Sequence, residues 1–259
     1  MDILEKIIAT KREELAQLRA ERAFADTERE ALACRRQAIS FKGALLASSS
    51  GIIAEFKRRS PSRGFIHEGA DVAQVTCGYE RSGAAALSVL TDERYFGGAL
   101  GDLRTARQGV SLPILRKDFV IDPYQICQAR IAGADAILLI AAALSPRDVR
   151  ELAAYAHSLS LEVLLEIHNA GELDHICPEV DVVGVNNRNL KTFVTDVRAS
   201  HDLAERIPAG FVRISESGIS DPATVRGLRD AGFRGFLMGE NFMKQSDPAA
   251  ALGQFIAAL

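Results

Sequence analysis

Glu55 and Lys57 stand two residues apart at the end of an apolar run, I-I-A-E-F-K, that opens at Ile52. Side chains alternate faces along a strand, so this acid and this base point the same way, above Ile53. A charged pair at a strand's carboxyl end suits a pocket at the C-terminal edge of a parallel sheet better than a core. Arg58, Arg59, Ser60, Ser62, Arg63 and Gly64 follow, a cationic, hydroxyl-bearing loop suited to an anion. The same alternation sets Lys117 above Leu115 in I-L-R-K-D-F and Glu166 above Leu164 in E-V-L-L-E-I. With Leu115 and Leu164 as an apolar floor, Lys117 and Glu166 become candidates for shifted pKa values and acid–base work. The plainer alternative is an ion pair that only closes the top of the sheet. Gly184, Asn186 and Arg188 share a face in the same way. Ser217-Gly218-Ile219 and Gly239-Glu240-Asn241 are small-residue turns whose backbone N–H groups could hold a phosphate.

Positioning these residues is the task of a regular alternation that starts at Gly51. Short apolar runs at 52–57, 86–91, 114–119, 137–142, 162–167, 182–187, 212–217 and 235–240 read as strands. Helical patterns lie near 71–82, 98–108, 122–132, 146–158, 170–176, 196–206, 221–231 and 247–258. Asp122-Pro123, Ser145-Pro146, Asp221-Pro222 and Asp247-Pro248 each put a capping residue before a proline at the first helical position. Gly83, Gly109, Gly133 and Gly232 fall where helices should stop. Eight such units in about 210 residues predict an α/β fold, a single (β/α)8 TIM barrel, with a doubly wound sheet as the structural alternative. Ahead of them, 2–22, about 26–37 and 40–46 read as helices. Residues 1–50 are thus expected to be a helical extension packed on a barrel formed by 51–259, serving as a lid or plug, or else as a dimerising element. In a barrel the strand ends form the active-site mouth. Thr91-Asp92, Arg116-Lys117-Asp118, Glu166, Asn186, Arg188, Glu216-Ser217-Gly218 and Gly239-Glu240 all fall there, while the fourth strand offers only Leu138 and Ile140.

Composition narrows the function. The chain has 259 residues and a formal charge of −3, which argues against general nucleic-acid binding. No apolar run approaches the roughly 18 residues of a membrane span, and the acidic, amphipathic N-terminus is unlike a signal peptide. Cys34, Cys77, Cys127 and Cys177 are widely spaced, with no C-x-x-C, so neither a disulfide framework nor a thiolate metal site is expected and the cytoplasm is the natural compartment. His168 and His175 give no metal-binding spacing.

The segments I-A-E-F-K-R-R-S-P-S-R-G, L-S-V-L-T-D-E-R-Y-F-G-G, P-I-L-R-K-D-F, G-A-D-A-I-L-L-I, L-L-E-I-H, G-V-N-N-R-N-L and I-S-E-S-G-I together resemble the indole-3-glycerol-phosphate synthase family of tryptophan biosynthesis. The resemblance covers nearly the whole chain, N-terminal helices included. It implies closure of an indole ring from 1-(2-carboxyphenylamino)-1-deoxyribulose 5-phosphate, with loss of CO2 and water and with no metal or organic cofactor. It implies Lys117 as the acid for the ribulose carbonyl, Lys57 as the holder of the substrate carboxylate and Glu166 as the acid–base group in loss of the hydroxyl. Glu55 and Asn186 would position Glu166 and the substrate. Ser60, Ser217, Gly218, Gly239 and Glu240 would bind phosphate, the Glu240 side chain having to turn away from the anion. Arg188 and Glu216 would line the polar side, and Phe96, Phe119 and Leu138 the anthranilate side. The expected partner is a phosphorylated small molecule, with no nucleic acid, no membrane, and a monomer or weak homodimer in solution.

Two other functions compete. A sugar-phosphate isomerase on a similar barrel, such as phosphoribosylanthranilate isomerase, needs one acid and one base, fewer than the two lysines and two glutamates present. A catalytically silent barrel that binds a phosphorylated metabolite needs only the phosphate turns.

Overall fold

The computed structural model describes residues 2–189 and 192–259; Leu190, the last residue of G-V-N-N-R-N-L, lies outside them. The strands are β1 (Ile52–Phe56), β2 (Arg59–Ser60), β3 (Gly64–Phe65), β4 (Ala86–Leu90), β5 (Ile114–Lys117), β6 (Ala136–Ile140), β7 (Glu162–Ile167), β8 (Val182–Asn186), β9 (Val212–Glu216) and β10 (Gly235–Met238). β1 and β4–β10 are parallel and close into an eight-stranded barrel, sealed where Ile53 pairs with Leu237 of β10 and Ala86 of β4. The alternating pattern therefore resolves into a (β/α)8 barrel, not an open sheet. β2 and β3 form a small hairpin in the loop after β1.

The four Asp-Pro and Ser-Pro signals act as read. Asp122, Ser145, Asp221 and Asp247 each cap a helix through the side chain, with proline at the first helical position. Gly133 ends its helix at φ 94°, a backbone region that glycine reaches without a Cβ penalty. The segment expected to be a helix at 170–176 is a 3-10 helix, Ala170–His175. Pro178 stands close behind it and disfavours helical backbone at Cys177, so a longer helix has no room.

Three helices precede the barrel: α1 (Ile3–Glu21), α2 (Phe24–Ala33) and α3 (Phe41–Ala47). α2 stops four residues short of the expected end. Arg130 takes the carbonyls of Cys34 and Arg36, and buried Asp135 takes the Ile39 N–H and the Arg36 guanidinium. These tertiary bonds hold 34–39 out of helical geometry. α3 plugs the N-terminal end of the barrel. Phe41 and Leu45 pack with Ile53, Ala86, Val212 and Ile214 inside it.

α1 crosses the opposite, C-terminal end. Its capping box, Asp2 with Glu5, starts it, and Ile7, Ile8 and Leu15 face inward. Lys11, almost wholly buried, lies 2.8 Å from Asp92 and 3.2 Å from Asp118. Asp118 also pairs with Arg116 at 2.9 Å and accepts from the Thr91 hydroxyl. Asp92, Arg116 and Asp118 thus serve as the dock for α1, which explains three of the polar strand-end residues. Burial resists ionisation of Asp118, but Arg116, Lys11, the Thr91 O–H and the Phe119 N–H outweigh it and hold the carboxyl at about 2. That pKa lies below the ordinary 3.8, so its stabilisation is fully present above about pH 4 and is lost as pH falls through 2. Lys11→Met is expected to lower stability by about 3 kcal/mol, because it takes the cation from buried Asp92 and one of two cations from buried Asp118. It should also expose α1 to proteolysis. A denaturant melt coincident with wild type would refute the anchoring.

Candidate active site

Four charged side chains share one level inside the barrel. Glu55, Lys117, Glu166 and Glu216 come from β1, β5, β7 and β9, the alternate strands that build one layer of a barrel interior. Two residues earlier on the same strands stand Ile53, Leu115, Leu164 and Ile214, all fully buried. The charged layer therefore rests directly on an apolar one.

Lys117 Nζ donates to Glu166 Oε2 at 3.0 Å and lies 3.6 Å from Glu216 Oε2. Burial alone would discharge Lys117, yet Glu166, Glu216 and Glu55 outweigh it and hold its pKa above that of an ordinary lysine. Burial likewise opposes the charge on Glu166, but Lys117 and His168 hold it well below the usual carboxylate range. Glu216 goes the other way. Burial raises it, Lys117 offsets part of that, and Glu166 and Glu55 add to it, leaving the carboxyl near 8. Its Oε1 is buried without a hydrogen-bond partner among the described residues. Lys57 Nζ sits 2.6 Å from Glu55 Oε1, nearer the opening.

Two glycines make this crowding possible. A Cβ on Gly184 would run into Glu216 Oε1, Leu164 and Ile214, and one on Gly239 would run into the Glu55 side chain. Gly239 was expected to matter through its N–H, and the space it leaves for Glu55 is a second reason for glycine there.

Above the charged layer lies a cavity of about 460 Å³, and every residue to which the family resemblance gave a role lines it. On one side Ser217 and Gly218 both take left-handed backbone, at φ 68° and 74°. Asn187, whose side chain points away from the cavity, pins this turn by donating to the Ser215 hydroxyl and the Ser217 carbonyl. Gly239 and Glu240 face it from the end of β10, where a short helix, Glu240–Met243, begins. The Ser60 hydroxyl, from β2, is buried with no hydrogen-bond partner among the described residues. The Glu240 carboxylate lies 3.3 Å from Arg63 and 3.7 Å from Arg188. Arg188 also donates to the Ser62 hydroxyl at 2.8 Å, and its backbone N–H donates to the Asn186 side chain.

The cationic loop is a correction. Arg58 lies over the Phe56 ring and pairs with Asp102 at 2.6 Å, and Arg59 lies over Phe65. Only Arg63 of the three arginines lines the cavity. The opposite wall is apolar. The Phe96 and Phe119 rings stand 5.9 Å apart beside buried Leu138, and α1 adds Ile3, Leu4 and Ile7. Among the described residues no group of histidine, cysteine, aspartate and glutamate is arranged to hold a metal ion, and no helix is long and apolar enough to cross a membrane.

The family model described as indole-3-glycerol phosphate synthase matches residues 4–255. The chain belongs to the indole-3-glycerol-phosphate synthase family. An indole-3-glycerol phosphate synthase of Bacteroides thetaiotaomicron is 54% identical over 258 residues, covering 100% of this chain and 99% of the relative. One of Bordetella pertussis is 45% identical, covering 99% of each chain. A solved tryptophan synthase alpha-subunit from Pyrococcus furiosus superposes with a TM-score of 0.60 at 15% identity, covering 82% of this chain and 98% of that one, a likeness of fold alone. Synthases of this family are carboxy-lyases of tryptophan biosynthesis that act on a phosphorylated small molecule.

Sequence reasoning passed over Gly184, Asn187, His168 and the three apolar residues of α1. Alternation did put Gly184 on the inward face, but only the Glu216 side chain explains its size. Gly184→Ala is expected to lower kcat about tenfold or more while the fold survives, since the added methyl displaces the Glu216 carboxylate and a misplacement of about 1 Å can cost about 10²-fold. Wild-type turnover in that variant would mean the carboxylate position is not needed.

Proposed function

We propose that this cavity performs the family's ring closure on 1-(2-carboxyphenylamino)-1-deoxyribulose 5-phosphate through the following residues. Lys117 is the acid for the ribulose carbonyl as the aromatic carbon attacks. The contact that carries this reading is its 3.0 Å bond to Glu166 inside a buried layer with three carboxylates. That surrounding keeps the ammonium protonated at neutral pH and leaves negative charge beside a ring that becomes cationic during attack. Lys57, nearer the opening, holds the substrate carboxylate until CO2 departs. Glu166 handles the proton in loss of the hydroxyl, with Glu55 and Asn186 positioning it and the substrate. Decarboxylation restores aromaticity, so the reaction needs no electron sink.

The phosphate goes to the turns of Ser217-Gly218 and Gly239-Glu240, beside Ser60. The first N–H groups of the helix at Glu240–Met243 have no intrahelical acceptor and face the same region. The Glu240 side chain, engaged by Arg63 and Arg188, is turned to those cations and leaves its N–H to the anion. Gripping this remote group orients the reacting end. Arg188 and Glu216 line the polar side, and the anthranilate ring lies against Phe96, Phe119 and Leu138. The protein works in the cytoplasm as a monomer or weak homodimer.

A fluorescence assay for indole formation tests the assignment. Wild type should turn over the substrate. Lys117→Ala and Glu166→Gln should each fall by about 10²-fold or more, the ordinary worth of a positioned acid or base. Undiminished substrate affinity in Lys117→Ala with undiminished turnover would remove Lys117 from the chemistry. Tight binding with no product from wild type would favour a silent phosphate-binding barrel.

A further inference from the structure

We propose that His168, braced by Glu172, is an imidazolium strut that positions the Glu166 carboxylate for its proton-transfer step. The proposal rests on the acid–base role given to Glu166 above.

His168 follows Glu166 by two residues, so strand alternation sets it on the same face and one step nearer the mouth. Its Nε2 lies 3.3 Å from Glu166 Oε1, and its Nδ1 lies 3.3 Å from Glu172 Oε2. Each ring nitrogen therefore faces a carboxylate. A neutral imidazole carries a proton on one nitrogen only and would leave a lone pair beside the other acid; the imidazolium carries a proton on both. Burial works against that charge, but Glu166 and Glu172 outweigh it and push the imidazole up to about 10.

The brace is itself built. Glu172 accepts from the His168 N–H at 2.7 Å and from the Asn169 side chain at 2.7 Å. Asn169 also caps the 3-10 helix that carries Glu172, accepting from the Gly171 N–H. Residues 166–172 thus form one unit that holds an imidazole beside the carboxylate. The two oxygens of Glu166 are divided between two cations, Oε2 to Lys117 and Oε1 to His168. The Nε2 approach is an ion-pair contact without aligned hydrogen-bond geometry, and Nε2 has no hydrogen-bond partner among the described residues.

The charged groups around Glu166 are Lys117 from β5, Glu216 from β9 and His168 itself, with Glu55 beyond Glu216. Its neighbours on the adjoining strands, Ile140 and Gly184, carry no charge. His168 and Lys117 are then the two cations that keep Glu166 ionised. Removing the imidazolium must raise the Glu166 pKa.

The test compares kcat, KM and the pH profile of kcat for wild type, Glu166→Gln, His168→Ala, Glu172→Gln and the double variant Glu166→Gln with His168→Ala. The limb of the profile that vanishes in Glu166→Gln belongs to Glu166. In His168→Ala that limb should move to higher pH by about one unit, the usual effect of losing a neighbouring opposite charge. Turnover should fall about tenfold, with KM changed less than about threefold, the pattern of a lost transition-state interaction. Glu172→Gln should move the limb in the same direction. The double variant should be no slower than Glu166→Gln, because His168 acts through that residue. An unmoved limb, or a change in KM alone, overturns the strut while leaving Glu166 its role. Wild-type turnover in Glu166→Gln removes Glu166 from the chemistry and the strut with it. If His168→Ala does not fold, Glu172→Gln decides by the same limb, and no shift there overturns the proposal.

Discussion

The site depends on one stacking constraint, a charged layer laid on an apolar one. Ile53, Leu115, Leu164 and Ile214 fill the barrel, and two residues on, the same strands present Glu55, Lys117, Glu166 and Glu216. The pleat leaves no freedom here, since a slip of one residue in any strand would turn its acid or base outward. Low polarity beneath the layer makes each charge costly unless it is paired. This is why Lys117 is held charged while Glu216, with an unpartnered oxygen, is pushed towards its neutral form. Two acids at one level thus acquire different proton affinities from their surroundings. Unequal proton affinities of this kind need no exotic residues, only unequal neighbours.

The layer is also expensive in space. Gly184 and Gly239 are small because a carboxylate occupies the volume where their side chains would be. Outside the barrel a second ionic cluster, Lys11 with Asp92, Arg116 and Asp118, serves a structural end by fastening α1 across the mouth. The two clusters share neighbouring residues, Arg116, Lys117 and Asp118, on one strand end. Alternation sends Lys117 inward and its two flanking charges outward, so three consecutive ionic residues serve the cavity and the docking of α1 without competing.

Much of this was legible in the sequence. Alternation put Glu55, Lys57, Lys117 and Glu166 on the inward faces, and capping residues before proline marked four helix starts. The family resemblance drew the candidates together, and all of them line one cavity. What the sequence could not convey depended on partners far along the chain. α2 ends at Ala33 because Arg130 and Asp135, about a hundred residues away, take the groups a longer helix would have used. Arg58 and Arg59 looked like anion ligands until Asp102, Phe56 and Phe65 were seen to occupy them. His168 was read only for metal spacing, and its meaning lies in the two glutamates that flank its ring. Local pattern fixes which face a side chain takes, and only the folded chain shows what it meets there.

The plug formed by α3 bears on traffic as well as packing. With Phe41 and Leu45 wedged into the N-terminal end, that end is closed, and the cavity lies at the other. Everything that enters or leaves the proposed site must pass through the mouth under α1. Carbon dioxide and water are far smaller than the phosphorylated indole product, which must back out along the path the substrate took. Exit and entry are then mutually exclusive events, and the vessel must empty before it can refill.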